Sequence, residues 1–351
     1  QGGIVLSDGT KVTVKPLLVG RSEAKLADLA DKHGIEDYTT DLDAALADPR
    51  WEIYADFLVT KARSAALRKA IAAGKTIYTE KPTAETLTEA IELARMAHNA
   101  GVVAGVVHDK LYLPGLVKLR RLVDEGFFGR ILSMRGEFGY WVFEGDWKQA
   151  QRPSWNYRKE DGGGIILDMM PHWRYVLDNT FGSVKSVSCL GRVNIDKRWD
   201  ENDEAYDADA DDASYALVEL AGGAVAQIFA SWCTRVRKDD LVTFHADGTH
   251  GAAVAGLTKC YTQDRPATPS PVWNPDEPQT IPFFDTWEEY GADMTFNNGF
   301  KSEWEMFMRS LYTDKPFHWN LREGAKGVQL AEAAMQSWHE RRWIDIDEVP
   351  A

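Results

Sequence analysis

Short apolar stretches alternate with amphipathic ones over the first 110 residues of the chain. The apolar stretches end near Val19, Val59, Thr79 and Val107, and between them lie the glycines and capping residues that begin and end helices. Strand, helix and strand at this spacing predict parallel βαβ units. Such units form a doubly wound sheet, which binds its ligand at the carboxyl ends of its strands.

A sheet of this kind that binds a dinucleotide is of the Rossmann type, and we predict this fold for residues 1–110. It normally opens with a strand, a G-x-G-x-x-G turn and a helix whose N-terminus holds the pyrophosphate. No such run occurs near Gln1. We therefore expect the sequence to begin one βα unit, roughly 30 residues, into the domain. The alternative is that no dinucleotide binds.

From residue 111 onward the pattern is typical of a largely antiparallel sheet. Strands are predicted at 130–143, 184–195, 213–220 and 225–232, and Gly222-Gly223 between the last two indicates a hairpin. Amphipathic helices are predicted near the end, at 300–312 and 323–338. Residues 111–351 are thus predicted to form a second domain, of the α+β class with a mixed, largely antiparallel open sheet, that binds substrate and supports oligomerisation.

Composition excludes several kinds of partner. The net charge of −14 argues against nucleic acid and anionic membranes, and no run of 18 apolar residues predicts a membrane span. The three cysteines, Cys189, Cys233 and Cys260, are scattered, which fits neither a disulfide framework nor a zinc site. With no recognisable secretory leader, the sequence predicts a cytoplasmic protein without a structural metal.

The first candidate for chemistry is Glu80-Lys81-Pro82, directly after the strand that ends at Thr79. A lysine at the carboxyl end of a parallel strand points into the cofactor crevice. There it can donate a hydrogen bond to a substrate oxygen or stabilise a developing alkoxide. The alternative is an exposed lysine paired with Glu80.

The second candidate is the stretch from Gly162 to Trp173. Three glycines let the backbone approach a ligand closely, and Asp168 and His172 stand four residues apart, which places them on one face of a helix. Pro171 indicates a helix start after an apolar, strand-like step. A carboxylate beside an imidazole fits general acid–base chemistry; the alternative is a helix cap with a surface histidine.

Together, Thr79-Glu80-Lys81-Pro82, the helix after it, and Gly162-Gly163-Gly164 ahead of Asp168 and His172 resemble the Gfo/Idh/MocA family of sugar and inositol oxidoreductases. The resemblance implies that Lys81 is the catalytic lysine, His172 the general acid–base and Asp168 the carboxylate beside it. It further implies an NAD(P) cofactor, a carbohydrate substrate and a homodimer or homotetramer. That assembly would form through the open face of the second-domain sheet. The strand that contains Val225, Ile228 and Phe229 is the candidate for supplying that face.

Other residues have less specific signals. The cofactor is expected to contact Glu80, Lys81 and Pro82, and also Arg21 at the end of the second strand. NAD is the favoured cofactor, and NADP is the alternative. Substrate contacts are expected from His172, from Lys110 and from aromatic and basic residues before the glycines: Trp141, Trp147, Trp155, Tyr157 and Arg158. The acidic run 200–212 is predicted to be a solvated loop.

Two other functions remain open at this stage. Some members of the family are redox-neutral glycosidases that hold NAD tightly, oxidise a ring hydroxyl, eliminate the aglycone, add water and reduce the ring again. The aromatic and charged region 140–158 is compatible with a glycoside. The second alternative is a sugar-binding relative without catalysis.

Overall fold

A computed structural model describes residues 3–140, 152–236, 240–313 and 315–350. The chain forms two compact units. The first contains residues 1–107, 300–325 and 349–351, and the second contains residues 108–299 and 326–348. The first boundary therefore lies close to the predicted one at residue 110. The prediction placed the segments 300–325 and 349–351 in the second domain. In the structure, however, they belong to the first unit.

The described part of the first unit up to residue 107 contains seven short strands and four α-helices. The strands are β1 (Ile4–Val5), β2 (Lys11–Val12), β3 (Leu17–Val19), β4 (Asp37–Thr39), β5 (Ile53–Asp56), β6 (Thr76–Thr79) and β7 (Ala104–Val106). The helices are α1 (Glu23–His33), α2 (Leu42–Ala47), α3 (Thr60–Ala72) and α4 (Leu87–Asn99).

The rest of the chain contains eleven strands and four α-helices among its described residues. The helices are α5 (Pro114–Asp124), α6 (Ile165–Thr180), α7 (Gly299–Ser310) and α8 (Leu321–Glu340). The strands are β8 (Ile131–Gly139), β9 (Val184–Arg192), β10 (Lys197–Trp199), β11 (Ala205–Asp207), β12 (Ala213–Leu220), β13 (Val225–Ser231), β14 (Val242–Gly248), β15 (Gly251–Ala255), β16 (Cys260–Asp264), β17 (Glu288–Glu289) and β18 (Ile344–Asp345).

The parallel sheet of the first unit is in two pieces. β3 pairs with β4, and β5, β6 and β7 pair in that order, with every pair parallel. In a doubly wound sheet of strand order 3-2-1-4-5-6, these pieces correspond to strands 3-2 and 4-5-6. A cavity of about 1910 Å³ is lined by residues of both β3 and β5. It therefore lies at the position of the first strand of such a sheet.

The segment 300–325 completes the apolar core of the first unit. Phe307 and Phe317 are both almost fully buried and pack with Tyr78 and Val107. The Val106 N–H donates to the carbonyl of Trp319 at 2.7 Å, so this segment is also hydrogen-bonded to the end of β7. Residues 300–325 are thus part of the first unit, although they lie far along the chain from residues 1–107.

The second unit is organised around one nine-stranded sheet of order β17-β16-β15-β14-β8-β13-β12-β9-β18. All pairs are antiparallel except β8 with β13, which confirms the predicted mixed, largely antiparallel sheet. The Gly222-Gly223 hairpin is also confirmed, because β12 and β13 pair around it. One face of the sheet packs under the helices in an extended apolar core.

The opposite face of this sheet carries several exposed apolar side chains: Leu190, Tyr215, Leu217, Val225 and Tyr261. Tyr215 and Phe229 contact each other across β12 and β13, with ring centroids 5.1 Å apart. Ile228 does not belong to this face, contrary to our expectation, because side chains alternate along a strand and Ile228 points into the core at 1% exposure.

No helix in the described ranges combines the length and apolar content needed to cross a bilayer.

Candidate active site

The Glu80-Lys81-Pro82 turn follows β6 directly, as predicted. Lys81 is partly exposed, and its backbone N–H donates to the Glu80 carboxylate at 3.2 Å. The carbonyl of Thr79, the last residue of β6, accepts from the N–H of Val107 at 2.9 Å. The turn is therefore attached to the central strands at the edge where a doubly wound sheet binds its ligand.

A buried arginine, which the sequence analysis did not identify, holds the backbone of the Glu80-Lys81-Pro82 turn in place. Arg63 is 3% exposed and pairs with the fully buried carboxylate of Asp56 at 3.1 Å. Its guanidinium also donates to the carbonyl of Pro82 at 2.5 Å and to the carbonyl of Leu58. Asp56 accepts as well from the hydroxyl of Thr79 at 3.0 Å. This network connects the ends of β5 and β6 and so determines the backbone path at Lys81.

Helix α8 also approaches this turn closely. A Cβ atom on Gly324, near the start of α8, would lie 2.6 Å from the side chain of Thr83. Only glycine allows this approach, so the segment after Pro82 is packed between the sheet and α8.

The edge formed by the ends of β3 and β5 has the chemistry of a dinucleotide site. Arg21 is exposed just after β3, and Phe57 and Leu58 follow β5 with 75% and 41% exposure. Exposed apolar side chains at strand ends suit the face of an adenine or nicotinamide ring, and an arginine suits a phosphate or stacks on a base. The residues present therefore fit NAD or NADP.

In the second unit, α6 begins earlier than expected. It runs from Ile165 and contains Pro171 in its interior, so the predicted helix start at Pro171 is wrong. Gly162 and Gly164 have φ values of 77° and 122°, which favour glycine. A Cβ atom on Gly163 would lie 2.5 Å from the carbonyl of Trp155. The three glycines thus let the chain turn tightly against its own backbone and enter the helix.

The N-terminus of α6 is capped by a distant residue. Gly164 offers no side chain, and the carboxylate of Asp211 instead accepts from the N–H of Ile166 at 2.7 Å, while the carbonyl of Asp211 accepts from the N–H of Ile165 at 2.8 Å. Asp211 is 1% exposed. Burial raises the pKa of its carboxyl from 3.8 to about 6, and the Ile166 hydrogen bond opposes this shift in part. A buried acid therefore anchors the helix that carries Asp168 and His172.

We expect Asp211→Asn to change how stability depends on pH. A carboxyl with a raised pKa binds its proton more tightly in the folded state, so its contribution to stability is fully present below about pH 4 and is lost as pH rises through about 6. The amide cannot ionise but keeps an acceptor for Ile166. Relative to the wild type, the variant should therefore gain about 3 kcal/mol between pH 4 and pH 7.

Urea-unfolding midpoints across this range measure the effect. Asp209→Asn is the matched control, because Asp209 is exposed and accepts a comparable backbone hydrogen bond, from the N–H of Lys159 at 2.8 Å. Parallel pH curves for Asp211→Asn and the wild type would contradict the prediction.

Asp168 lies in the first turn of α6 and pairs with an arginine that the sequence analysis did not single out. Its carboxylate accepts from the guanidinium of Arg152 at 3.1 Å, and both side chains are about one-quarter to one-third exposed. Arg152 also donates to Asn156 at 3.1 Å and lies over the ring of Trp232 at 4.8 Å. Burial raises the pKa of the neighbouring Tyr140, an effect that the positive charge of Arg152 opposes. Asp168 is thus held at a partly open surface beside a fixed cation.

His172 lies one helical turn after Asp168 and is 8% exposed. Its Nδ1 atom is 2.6 Å from the hydroxyl of Tyr175 and 3.9 Å from the carboxylate of Asp109. Asp109 begins a 3-10 helix that also contains Lys110, whose Nζ atom is 2.6 Å from the Asp109 carboxylate. The described contacts thus place His172 against Tyr175 and Asp109. Its orientation by Asp168 stays a prediction.

The remaining candidates for substrate contacts divide into two groups. Trp155 and Arg158 are partly exposed, and the guanidinium of Arg158 lies 4.3 Å above the ring of Tyr206. Tyr157 does not fit the predicted role, because its side chain is fully buried. The guanidinium of Arg198 lies 3.9 Å from the centre of the Tyr157 ring, and the ring of Trp232 packs against it. Trp141 and Trp147 lie outside the described residues.

The acidic run 200–212 is only partly the solvated loop that we predicted. Asp211 caps α6, and Asp212 is 1% exposed and pairs with the buried Arg198 at 3.1 Å. Glu204 is exposed and follows the prediction, and Asp200 is partly exposed. Among the residues that the structure describes, no group of three or more histidine, cysteine or acidic side chains is arranged to hold a metal ion.

Two models of known protein families match the chain. Residues 8–108 match the model described as "Oxidoreductase family, NAD-binding Rossmann fold". Residues 116–254 match the GFO/IDH/MocA C-terminal domain.

Individual proteins give the same result. The chain is 59% identical to a D-xylose dehydrogenase of Paenarthrobacter nicotinovorans, over 99% of this chain and 91% of that protein. It is 26% identical to a levoglucosan dehydrogenase of Pseudarthrobacter phenanthrenivorans over 69% of this chain and 64% of that protein. A solved levoglucosan dehydrogenase in complex with NADH and L-sorbose shares the fold, with a TM-score of 0.81, 19% identity and coverage of 96% and 91% of the two chains.

Proposed function

We propose, because this chain belongs to the Gfo/Idh/MocA family of NAD-binding oxidoreductases, that it oxidises a ring hydroxyl of a sugar. The observation that carries the proposal is the pair of motifs around Lys81 and His172 in a chain that matches a sugar dehydrogenase along 99% of its length. NAD is the proposed acceptor, and NADP is to be compared with it.

The proposed roles follow from the chemistry of the side chains. Oxidation of an alcohol removes a proton from the oxygen and a hydride from the carbon. His172 accepts the proton, since a neutral imidazole is a suitable base near pH 7. Lys81 donates a hydrogen bond to the same oxygen and stabilises the negative charge that develops there. NAD, when bound, accepts the hydride. Asp168, paired with Arg152, is available to bind a neighbouring sugar hydroxyl.

The other predicted contacts keep their proposed roles where the structure leaves them accessible. Arg21, Glu80, Lys81 and Pro82 are proposed to contact the cofactor. His172, Lys110, Trp155 and Arg158 are proposed to contact the substrate, with Lys110 acting from its ion pair with Asp109.

D-xylose is the first substrate to test, because the relative with 59% identity acts on it. The full-length protein is incubated with NAD and with D-xylose, D-glucose, L-arabinose or levoglucosan, and NADH formation is followed by its absorbance. We expect NADH to form in proportion to the D-xylose consumed, and more slowly with the other sugars. NADP in place of NAD tests the cofactor preference.

The same assay separates the alternatives. An aryl xyloside is included as a substrate, and phenol and NADH are measured together. Release of phenol without net NADH would contradict the proposal in favour of a redox-neutral glycosidase. Sugar binding by calorimetry without either product would favour a binding protein.

We also propose that the protein forms a homodimer or homotetramer through the open face of its nine-stranded sheet. Exposed apolar patches of this kind mark interaction sites. Leu217→Arg places a charge near the centre of this face, on a side chain that is already 44% exposed. Sedimentation should show a shift from oligomer to monomer with folding unchanged. Val5→Arg, at a comparably exposed residue of the first unit, should leave the oligomer intact. A monomeric wild type would refute the proposal.

A cytoplasmic location remains our proposal. It is supported by three free cysteines among the described residues, of which Cys189 and Cys260 are buried. Burial raises the pKa of both thiols to about 12, so they stay protonated and unreactive.

A further inference from the structure

Polar groups from two elements of the second unit converge on the Nδ1 atom of His172. Tyr175, one turn further along α6, places its hydroxyl 2.6 Å from Nδ1. From the 3-10 helix Asp109–Tyr112, the Asp109 carboxylate lies 3.4 Å from the same hydroxyl, and the backbone N–H of Lys110 lies 3.2 Å from it. Tyr175 is 4% exposed and Asp109 3% exposed. The arrangement is therefore built into the interior of the unit.

The chemistry of these groups determines the direction of each hydrogen bond. The Lys110 N–H can only donate, so the Tyr175 oxygen accepts from it. The Asp109 carboxylate can only accept, so the Tyr175 O–H donates to it. With its O–H proton directed to Asp109, the tyrosine oxygen would accept from a proton on Nδ1 of His172, 2.6 Å away, and Nε2 would then carry the lone pair.

We propose that Tyr175 and Asp109 are positioning residues, which hold His172 in the tautomer with its proton on Nδ1 and its basic lone pair on Nε2. This inference rests on the proposed role of His172 as the base. In catalysis the imidazole becomes positively charged, and the Asp109 carboxylate, 3.9 Å from Nδ1, stabilises that charge. The ring of His108, stacked on Tyr175 at 4.3 Å, keeps the phenol in place.

The sign of the effect on pH dependence follows from the charges around His172. The Asp109 carboxylate lies 3.9 Å from Nδ1 and pairs with the ammonium of Lys110 at 2.6 Å. On α6, Asp168 is paired with Arg152. Replacing Asp109 by asparagine removes a negative charge and disfavours the imidazolium. Oxidation needs the neutral imidazole, so the acid limb of the kcat profile should move to lower pH, by about one unit.

The test uses the full-length protein labelled with ¹⁵N in its histidine rings. The spectra report the tautomer and titration of each histidine, and His172 is identified by the signal that His172→Gln removes. We expect the wild type to hold the proton on Nδ1. In Tyr175→Phe and Asp109→Asn the tautomer ratio should change, and kcat should fall about 10-fold. Tyr38→Phe, at an exposed tyrosine on β4 of the first unit, is the matched control and should change neither.

The outcomes separate this inference from the proposed function. An unchanged tautomer and an unchanged acid limb in both variants would overturn the inference, even in an active enzyme. A changed tautomer in a protein that oxidises no sugar would support the positioning role and refute the proposed function. Because the spectra are read without turnover, a variant of low activity is still informative, and Asp109→Asn serves if Tyr175→Phe folds poorly.

Discussion

Replacing Lys81 with methionine lowers kcat for sugar oxidation by about 100- to 1,000-fold, the loss expected when one donor to a developing oxyanion is removed. Methionine keeps the unbranched apolar stem of lysine and removes the charge and the donor hydrogens. The turn itself should remain, because its backbone is held by Arg63 at the carbonyl of Pro82 and by Thr79 in β6. The expected loss therefore reports on the ammonium group and not on the fold.

Cofactor affinity distinguishes this role from simple binding. Fluorescence titration with NADH should give a dissociation constant within about threefold of the wild type, because methionine keeps the stem of Lys81 and the other proposed cofactor contacts, Arg21, Glu80 and Pro82, are unchanged. Lys69→Met is the matched control: Lys69 lies on α3 and pairs with Asp43 at 2.7 Å in an exposed ion pair, which contributes little to stability. Normal turnover by Lys81→Met would remove Lys81 from the mechanism.

Local signals account for what the sequence predicted well. Helix α1 is capped by residues next to it in the sequence: the Ser22 side chain accepts from the N–H of Lys25, and Gly34 ends the helix at φ 64°. The hairpin at Gly222-Gly223 is likewise determined by adjacent residues. The Lys81 turn was predictable because a parallel strand can be recognised from a few apolar residues and its end then has a defined direction.

The start of α6 was mispredicted because its cap is not local. Ile165, Ile166 and Leu167 resemble a short strand, and Gly164 has no capping side chain. The cap is Asp211, more than forty residues later, in an acidic run that indicated only a solvated loop. No short stretch of the sequence contains both Asp211 and the start of α6, which it caps.

The same reason explains the surroundings of His172. Asp168 was the obvious partner because it lies one turn away on the same helix. Asp109 lies more than sixty residues earlier and reaches the imidazole only when the 3-10 helix packs against α6. Arg63 was missed for a related reason: a charged residue in a helix normally indicates a solvated face, and only its buried pairing with Asp56 reveals its role.

Replacing His172 with alanine should lower kcat by about 100- to 10,000-fold, the range for loss of a positioned general base. The imidazole is 8% exposed and hydrogen-bonded to Tyr175, so its position is fixed before substrate arrives. Water in the vacated space is a much weaker base and is not held in one orientation.

The pH dependence of kcat tests the role of His172 as the base most directly. In the wild type, oxidation should slow as pH falls, because protonation of His172 removes the base. His172→Ala has no such group, so this acid limb should disappear and the remaining activity should rise with hydroxide concentration. His339→Ala, at an exposed histidine in the last turn of α8, should keep both the rate and the limb. If His172→Ala instead kept the wild-type acid limb at a reduced rate, another group would be the base and His172 would serve only to bind the sugar.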